Sequence, residues 1–153
     1  MKLTIAAVGR LRPALFAPAA EEYLGRIKRY ATTQVVEIRE VHERSMVEAQ
    51  PLESKALLEA TRSCNFRIAL DGRGEMVDSV ALARKLEKAM QFGPDHWGLM
   101  LGGSHGHDAS LLAACDWRWS LGPMTLPHEL ARVVVFEQLY RGFSIIRGEP
   151  YHK

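Results

Sequence analysis

Apolar positions along the chain switch repeatedly between the spacing of a strand and the spacing of a helix. Lys2 to Val8 is a short, partly β-branched run closed by Gly9, which predicts a strand. Ala14 to Tyr30 sets Phe16, Ala20, Tyr23, Leu24 and Ile27 at helical intervals. Gln34 to Val41 alternates as a second strand, and Pro51 to Arg62 reads as a helix opening at its proline, with Leu52, Ala56 and Leu57 on one stripe. Phe66 to Leu70 is a buried strand ended by an Asp71-Gly72-Arg73-Gly74 turn. Ser79 is placed to cap a helix over Val80 to Gln91. Trp97 to Leu101 is a fourth strand, Asp108 or Ser110 caps a short helix, and Trp117 to Leu121 is a fifth strand. Pro127, with Glu129 in the first turn, opens a long helix that Gly148-Glu149-Pro150 ends. Five strands alternating with helices predict an α/β layer fold with a mostly parallel sheet, in one domain over residues 1–153.

In such sheets ligands sit beyond the carboxyl ends of strands, so the loops after Leu70, Leu101 and Leu121 carry the functional question. Gly102-Gly103-Ser104-His105-Gly106 stands where a nucleotide loop would, yet it is neither G-x-G-x-x-G nor a P-loop. No Lys or Arg occurs between Gly93 and Trp117, and a polyphosphate site normally supplies a fixed cation. A neutral nucleoside, or a ligand that is itself cationic, fits this loop better; a plain glycine turn is the alternative. Leu121-Gly122-Pro123-Met124-Thr125-Leu126-Pro127 offers apolar walls and backbone groups suited to a purine ring, or is simply a stiff connector.

Composition narrows the class. A chain of 153 residues with 47% hydrophobic content buries a real core and excludes disordered and collagen-like classes. No apolar run approaches the ~20 residues of a membrane span, and Gly9, Arg10 and Arg12 interrupt the first apolar stretch too early for a signal-peptide core. Cys64 and Cys115 lack metal spacing, so reduced thiols and a cytoplasmic location are expected. The net charge of +2 permits a nucleic-acid partner only if charge clusters. Arg10, Arg12, Arg26, Lys28 and Arg29, interleaved with Tyr23 and Tyr30, are the candidate phosphate-tracking and base-stacking segment, or a solvated helix face. His105-x-His107 is a weak metal signal without a Cys or carboxylate pair beside it. Asp71 and Asp108 read as a turn residue and a cap.

The C-terminal quarter is denser in chemistry. Glu137 and Arg141 lie four apart on the last helix, where they pair. Tyr151, His152 and Lys153 form a polar tail that ordinary linker composition does not explain, with a frayed end that happens to carry a His as the alternative. Val133, Phe136, Tyr140 and Phe143 make one apolar stripe on that helix and Val135, Leu139 and Ile146 another, which suits burial against core and partner or a central core helix in a monomer.

Several segments together resemble one family: Met1 to Gly9, Ala69-Leu70-Asp71-Gly72, Leu101-Gly102-Gly103-Ser104-x-Gly106, Met124-Thr125-Leu126-Pro127-His128, Arg132 through Glu137-Gln138-Leu139-Tyr140-Arg141, and Pro150-Tyr151-His152-Lys153. The chain resembles the RlmH (YbeA-type) family of SPOUT methyltransferases over its whole length. The resemblance implies a C-terminal trefoil knot, a homodimer and S-adenosyl-L-methionine as methyl donor. It implies methylation of N3 of a pseudouridine in 23S rRNA within the assembled ribosome. Leu70, Gly102, Leu121, Gly122, Pro123, Met124, Thr125 and Leu126 would then line the donor pocket, with no metal and no membrane involved.

Removing an imide proton calls for a base, and His152 carries the side chain that titrates nearest neutrality. Arg141 would hold the target base or its phosphate, Glu137 would orient Arg141, and Tyr151 would stack on or bond to the extruded base. Gly122-Pro123, His107 and Gly142 depart from the family's usual residues. A nucleoside-binding module without catalysis and a His-based metal hydrolase are the competing readings.

Overall fold

In the computed structural model, which describes residues 1–42 and 45–153, the predicted alternation is realised as a three-layer α/β arrangement. The elements are β1 (Lys2–Val8), α1 (Ala17–Ile27), β2 (Thr32–Ile38), α2 (Met46–Ala60), β3 (Phe66–Met76), α3 (Ser79–Phe92), β4 (His96–Leu101), α4 (Ala109–Ala113), β5 (Trp117–Ser120) and α5 (His128–Ile146). The strand order is β2-β1-β4-β3-β5, and every pairing is parallel. A parallel sheet must be covered on both faces, and alternation along each strand shows how. Leu3, Ile5 and Ala7 of β1 join Ile68, Leu99 and Trp119 under α1, α3 and α5. Ala6 and Val8 join Ala69 and Met100 on the opposite face, beneath Leu57 of α2 and Leu111 and Leu112 of α4.

Three local expectations are corrected. α2 starts at Met46, a turn and a half before Pro51, because Ser45 and Glu48 form a capping box in which Ser45 N donates to Glu48 Oε2 at 3.3 Å. Pro51 is tolerated inside the helix; the carbonyl its missing N–H would have engaged belongs to Val47, which is exposed. Asp78, rather than Ser79, caps α3, its carboxylate accepting from Ala81 N at 2.7 Å, while Ser79 donates to Gln138 Oε1 at 2.7 Å.

β3 does not end at Leu70. Its register against β5 jumps from Leu70↔Trp119 to Glu75↔Trp119, so residues 71–74 loop outward as a bulge between two paired stretches. Gly74 is required there, since a Cβ at that position would lie 2.5 Å from the Arg118 carbonyl oxygen.

Helix α5 is the central helix of its face, packing on both α1 and α3. Val135, Phe136, Leu139 and Phe143 are fully buried, and Val133, Tyr140 and Ile146 pack at the margin of the same core. Both apolar stripes are thus accounted for largely within the chain, and their width alone does not demand a partner.

Gly142 permits the closest approach of α5 to α3: a Cβ there would lie 2.6 Å from Cδ1 of the fully buried Leu86. Alanine at 142 gains about 1 kcal/mol of helix propensity but overpacks the seam at a cost of about 1–3 kcal/mol. The expected result for Gly142→Ala is a lower midpoint in urea unfolding, where an exposed helical glycine would give a higher one.

Candidate functional site

The carboxyl ends of β3, β4 and β5 open into a cavity of about 300 Å³ roofed by the segment that leads into α5. Its walls come from the three loops singled out in the sequence. Leu70, Asp71 and Gly72 follow β3, Leu101, Gly102 and Gly103 follow β4, and Leu121 through Leu126 follow β5. His128 and Ala131 of the first turn of α5 complete it. All eight residues expected to line a donor pocket therefore meet at one cavity. The sequence reading did not include Asp71, Trp119 or His128. Asp71 was read as a turn residue, and it does accept from Arg73 N at 3.2 Å; it lines the cavity as well.

The lining is mostly apolar side chains and backbone. Among the described residues that form it, Asp71 carries the one formally charged side chain, and neither Lys nor Arg is present. Met124 stands at the mouth, 79% exposed. The glycines of the second loop answer to the chain's own packing. A Cβ on Gly102 would lie 3.1 Å from the backbone of Gly106, and one on Gly103 would lie 2.9 Å from Val8.

Helix α2 braces that loop from behind. Gln50 Nε2 donates to the carbonyls of His105 and His107 at 2.7 and 3.1 Å, and Asp108 N donates to Ser54 Oγ at 3.0 Å. Glu53 accepts from Val41 N at 2.8 Å, tying the loop after β2 to the same helix. The signal for these three lay in polar residues at i, i+3 and i+4 on a stripe that also carries apolar ones.

His107 is buried behind the cavity wall, with neither ring nitrogen hydrogen-bonded. Burial holds its pKa below the ordinary histidine value, against the opposing field of Asp71. Among the described residues no group of three or more His, Cys, Asp or Glu is arranged to hold a metal ion. The His105–His107 pair thus has no third ligand there. Asp108 caps α4, accepting from Leu111 N at 2.8 Å.

The four residues expected to act on a substrate converge as well, but elsewhere. Arg141 Nε donates to Glu137 Oε1 at 2.9 Å, and the Tyr151 hydroxyl donates to the same oxygen at 2.9 Å. Gln138 Nε2 holds the other oxygen of Glu137 at 2.7 Å. The Tyr151 ring lies 4.6 Å from that of Tyr140 and under the Arg141 guanidinium. His152 is exposed, with Nδ1 3.3 Å from Arg141 Nη1. A guanidinium only donates, so Nδ1 is the acceptor there and a neutral ring carries its proton on Nε2. None of the four lines the cavity. Glu137 and Arg141 follow His128 by nine and thirteen residues, which at ~1.5 Å per residue places them roughly 14 and 20 Å along the helix. Within one chain the tail does not close over the cavity.

The early basic segment is less free than its sequence suggests. Arg12 pairs with Glu129 at 2.9 Å and Arg26 with Glu22. Tyr30 stacks on Phe143 and donates to Glu149 at 2.6 Å. Tyr23 lies in the cluster of Tyr140 and Tyr151. Arg10, 4.0 Å from Glu37 with its side chain 92% exposed, and the exposed Lys28 and Arg29 are the cations of this segment that stay at the surface. Among the described residues no helix is long and apolar enough to cross a membrane.

The Tyr30–Glu149 bond fastens the turn that precedes the tail. Burial, then this bond, push the Tyr30 phenol up to about 12 from an ordinary 10. A raised folded-state value means its contribution to stability is fully present below about pH 10 and is lost as pH climbs through about 12. Denaturant unfolding across that window should show a steep alkaline loss of stability that Tyr30→Phe makes shallower.

Comparison with known proteins places these features in a family. The description "Predicted SPOUT methyltransferase" matches residues 1–152. The chain is 42% identical to ribosomal RNA large subunit methyltransferase H of Anaeromyxobacter sp. (strain K) over 154 residues and 38% identical to that of Ruminiclostridium cellulolyticum over 161, covering 100% of both chains each time. The Psychrobacter sp. protein of the same name is 41% identical over 162 residues, with 100% of this chain and 99% of that one covered. Among solved structures, a probable methylase family protein from Haemophilus influenzae superposes with a TM-score of 0.57 at 15% identity, over 99% of this chain and 70% of that one. That likeness speaks to the fold.

Proposed function

Because the chain belongs to the SPOUT methyltransferase family, we propose that it methylates ribosomal RNA of the large subunit, with S-adenosylmethionine as the donor. The observation that carries this reading is the cavity beyond β3, β4 and β5, with apolar walls, abundant backbone and no Lys or Arg. That lining suits the donor. A purine needs apolar surface and a few backbone hydrogen bonds, and a sulfonium compound would be repelled by the cationic clamp that a polyphosphate needs. Leu70, Gly102 and the segment Leu121 to Leu126 would hold it, and when bound it supplies an electrophilic methyl group. By family membership the C-terminal part is knotted as well.

The target is N3 of a pseudouridine in 23S rRNA within assembled ribosomes. An imide nitrogen must shed its proton to become nucleophilic, and the tail cluster holds the groups for that task. Glu137 fixes Arg141 and Tyr151 at once. Arg141, drawn onto a carbonyl oxygen or phosphate of the target, releases His152 Nδ1, which then accepts the imide proton. Tyr151 has an aromatic face for the extruded base. Most of the rate gain comes from alignment of nitrogen and methyl in a site that excludes water.

The separation of tail and cavity along α5 supports a homodimer in which each site draws on two chains. The exposed Arg10, Lys28 and Arg29 would follow the RNA backbone, making binding steeply salt-dependent.

Two outcomes are expected. His152→Ala should leave donor affinity unchanged and lower the single-turnover rate of labelled-methyl transfer to ribosomes by about 10²-fold or more, the usual weight of a general base; an unaltered rate removes His152 from the chemistry. Leu126→Arg, which sets a cation against a cationic donor, and deletion of residues 151–153 should each abolish transfer. Mixing the two variants should restore part of it, whereas a mixture that stays inactive assigns each tail to its own chain's cavity.

A further inference from the structure

Asp71 sits in an unusual electrostatic position for a residue that the turn alone would explain. It follows β3 directly at the cavity wall, and its carboxylate is the one formal charge among the described lining residues. One oxygen is engaged: Oδ1 accepts from Arg73 N at 3.2 Å, with the guanidinium of the largely exposed Arg73 3.8 Å away. The other, Oδ2, is buried and has no hydrogen-bond partner. A buried titratable group within reach of its field is His107 on the loop after β4. Burial pushes the His107 pKa down, with the field of Asp71 opposing. Arg73 thus meets one oxygen only, and the other is left without a partner at the wall of a cavity whose described lining holds no Lys or Arg, a costly arrangement unless something else completes it.

We propose that Asp71 is the counter-ion for the positive charge of the ligand, and so the residue by which the cavity prefers a cationic donor over a neutral nucleoside. This inference rests on the reading of the cavity as a donor site. Asp71 is a binding and specificity residue, and no bond to it is made or broken. The bulge of β3 serves this role, because a strand running straight on from Leu70 to Glu75 would leave no residue to turn into the cavity.

The test is equilibrium binding by calorimetry to wild type and Asp71→Asn. Asparagine keeps the acceptor for Arg73 N while it removes the charge and puts an NH2 donor in the place of Oδ2, and matching thermal unfolding of the two proteins establishes an intact fold. Three ligands separate the charges: S-adenosylmethionine with a sulfonium and an α-ammonium/α-carboxylate zwitterion, S-adenosylhomocysteine with the zwitterion alone, and methylthioadenosine with neither. The substitution should weaken S-adenosylmethionine about tenfold or more, as expected for losing one charge pair, and leave methylthioadenosine within about twofold. A matching loss for S-adenosylhomocysteine assigns Asp71 to the ammonium; no loss there assigns it to the sulfonium. An equal loss for all three, or none for S-adenosylmethionine, overturns the inference while leaving the donor site in place. Failure of wild type to bind any of the three overturns both.

Discussion

A buried guanidinium holds the functional end of the molecule together. Arg132, 1% exposed, lies one turn into α5 and donates through Nη2 to the carbonyls of Val8 and Gly9, at 3.3 and 2.7 Å, and through Nη1 to Glu37 at 2.9 Å. The last carbonyls of a strand have no ladder partner, and charged donors meet them with unusual strength. Burial pulls the Arg132 pKa below its ordinary value, with Glu37 opposing, and these acceptors offset the cost of burying the charge. Glu129 reinforces the seam from the other side by taking the backbone and guanidinium N–H groups of Arg12. The turn of α5 fixed in this way also contributes His128 and Ala131 to the cavity, so the clamp on β1 sets where the cavity roof lies.

From that anchored turn α5 runs through the apolar face, with its first turn walling the cavity and its carboxyl half carrying Glu137 and Arg141 against Tyr151. The helix fixes the distance between the proposed donor site and the tail cluster. The tail is held against α5 by Tyr151–Glu137 and against the turn after α1 by Tyr30–Glu149, leaving His152 as the exposed member of the group. An exposed imidazole tethered through an arginine is suited to meeting a large substrate from outside.

The loops owe their shapes to latches whose local signal does not name the partner. Gln50, Glu53 and Ser54 of α2 hold the glycine loop and the segment after β2, and the β3 bulge swings Asp71 into the cavity wall. Each substitutes a side-chain hydrogen bond for a missing backbone one. Polar residues at those sites are therefore fixed as firmly as the apolar core.

The alternation of strands and helices, the three loops that meet at the cavity and the Glu137–Arg141 pair were legible in the chain because each depends on residues close in sequence. Periodicity reports which face of an element is buried, and an i,i+4 pair follows from helix geometry. The start of α2 was legible too, in Ser45 and Glu48, but Pro51 masked it. What only the tertiary structure decided were relations between distant segments: the continuation of β3 past Asp71 to pair with Trp119, the need for Gly142 against Leu86, the burial of Arg132 against β1, and the distance between tail and cavity. Those depend on which strands become neighbours and how closely two helices approach, quantities fixed by packing of the whole chain and written at no single place along it.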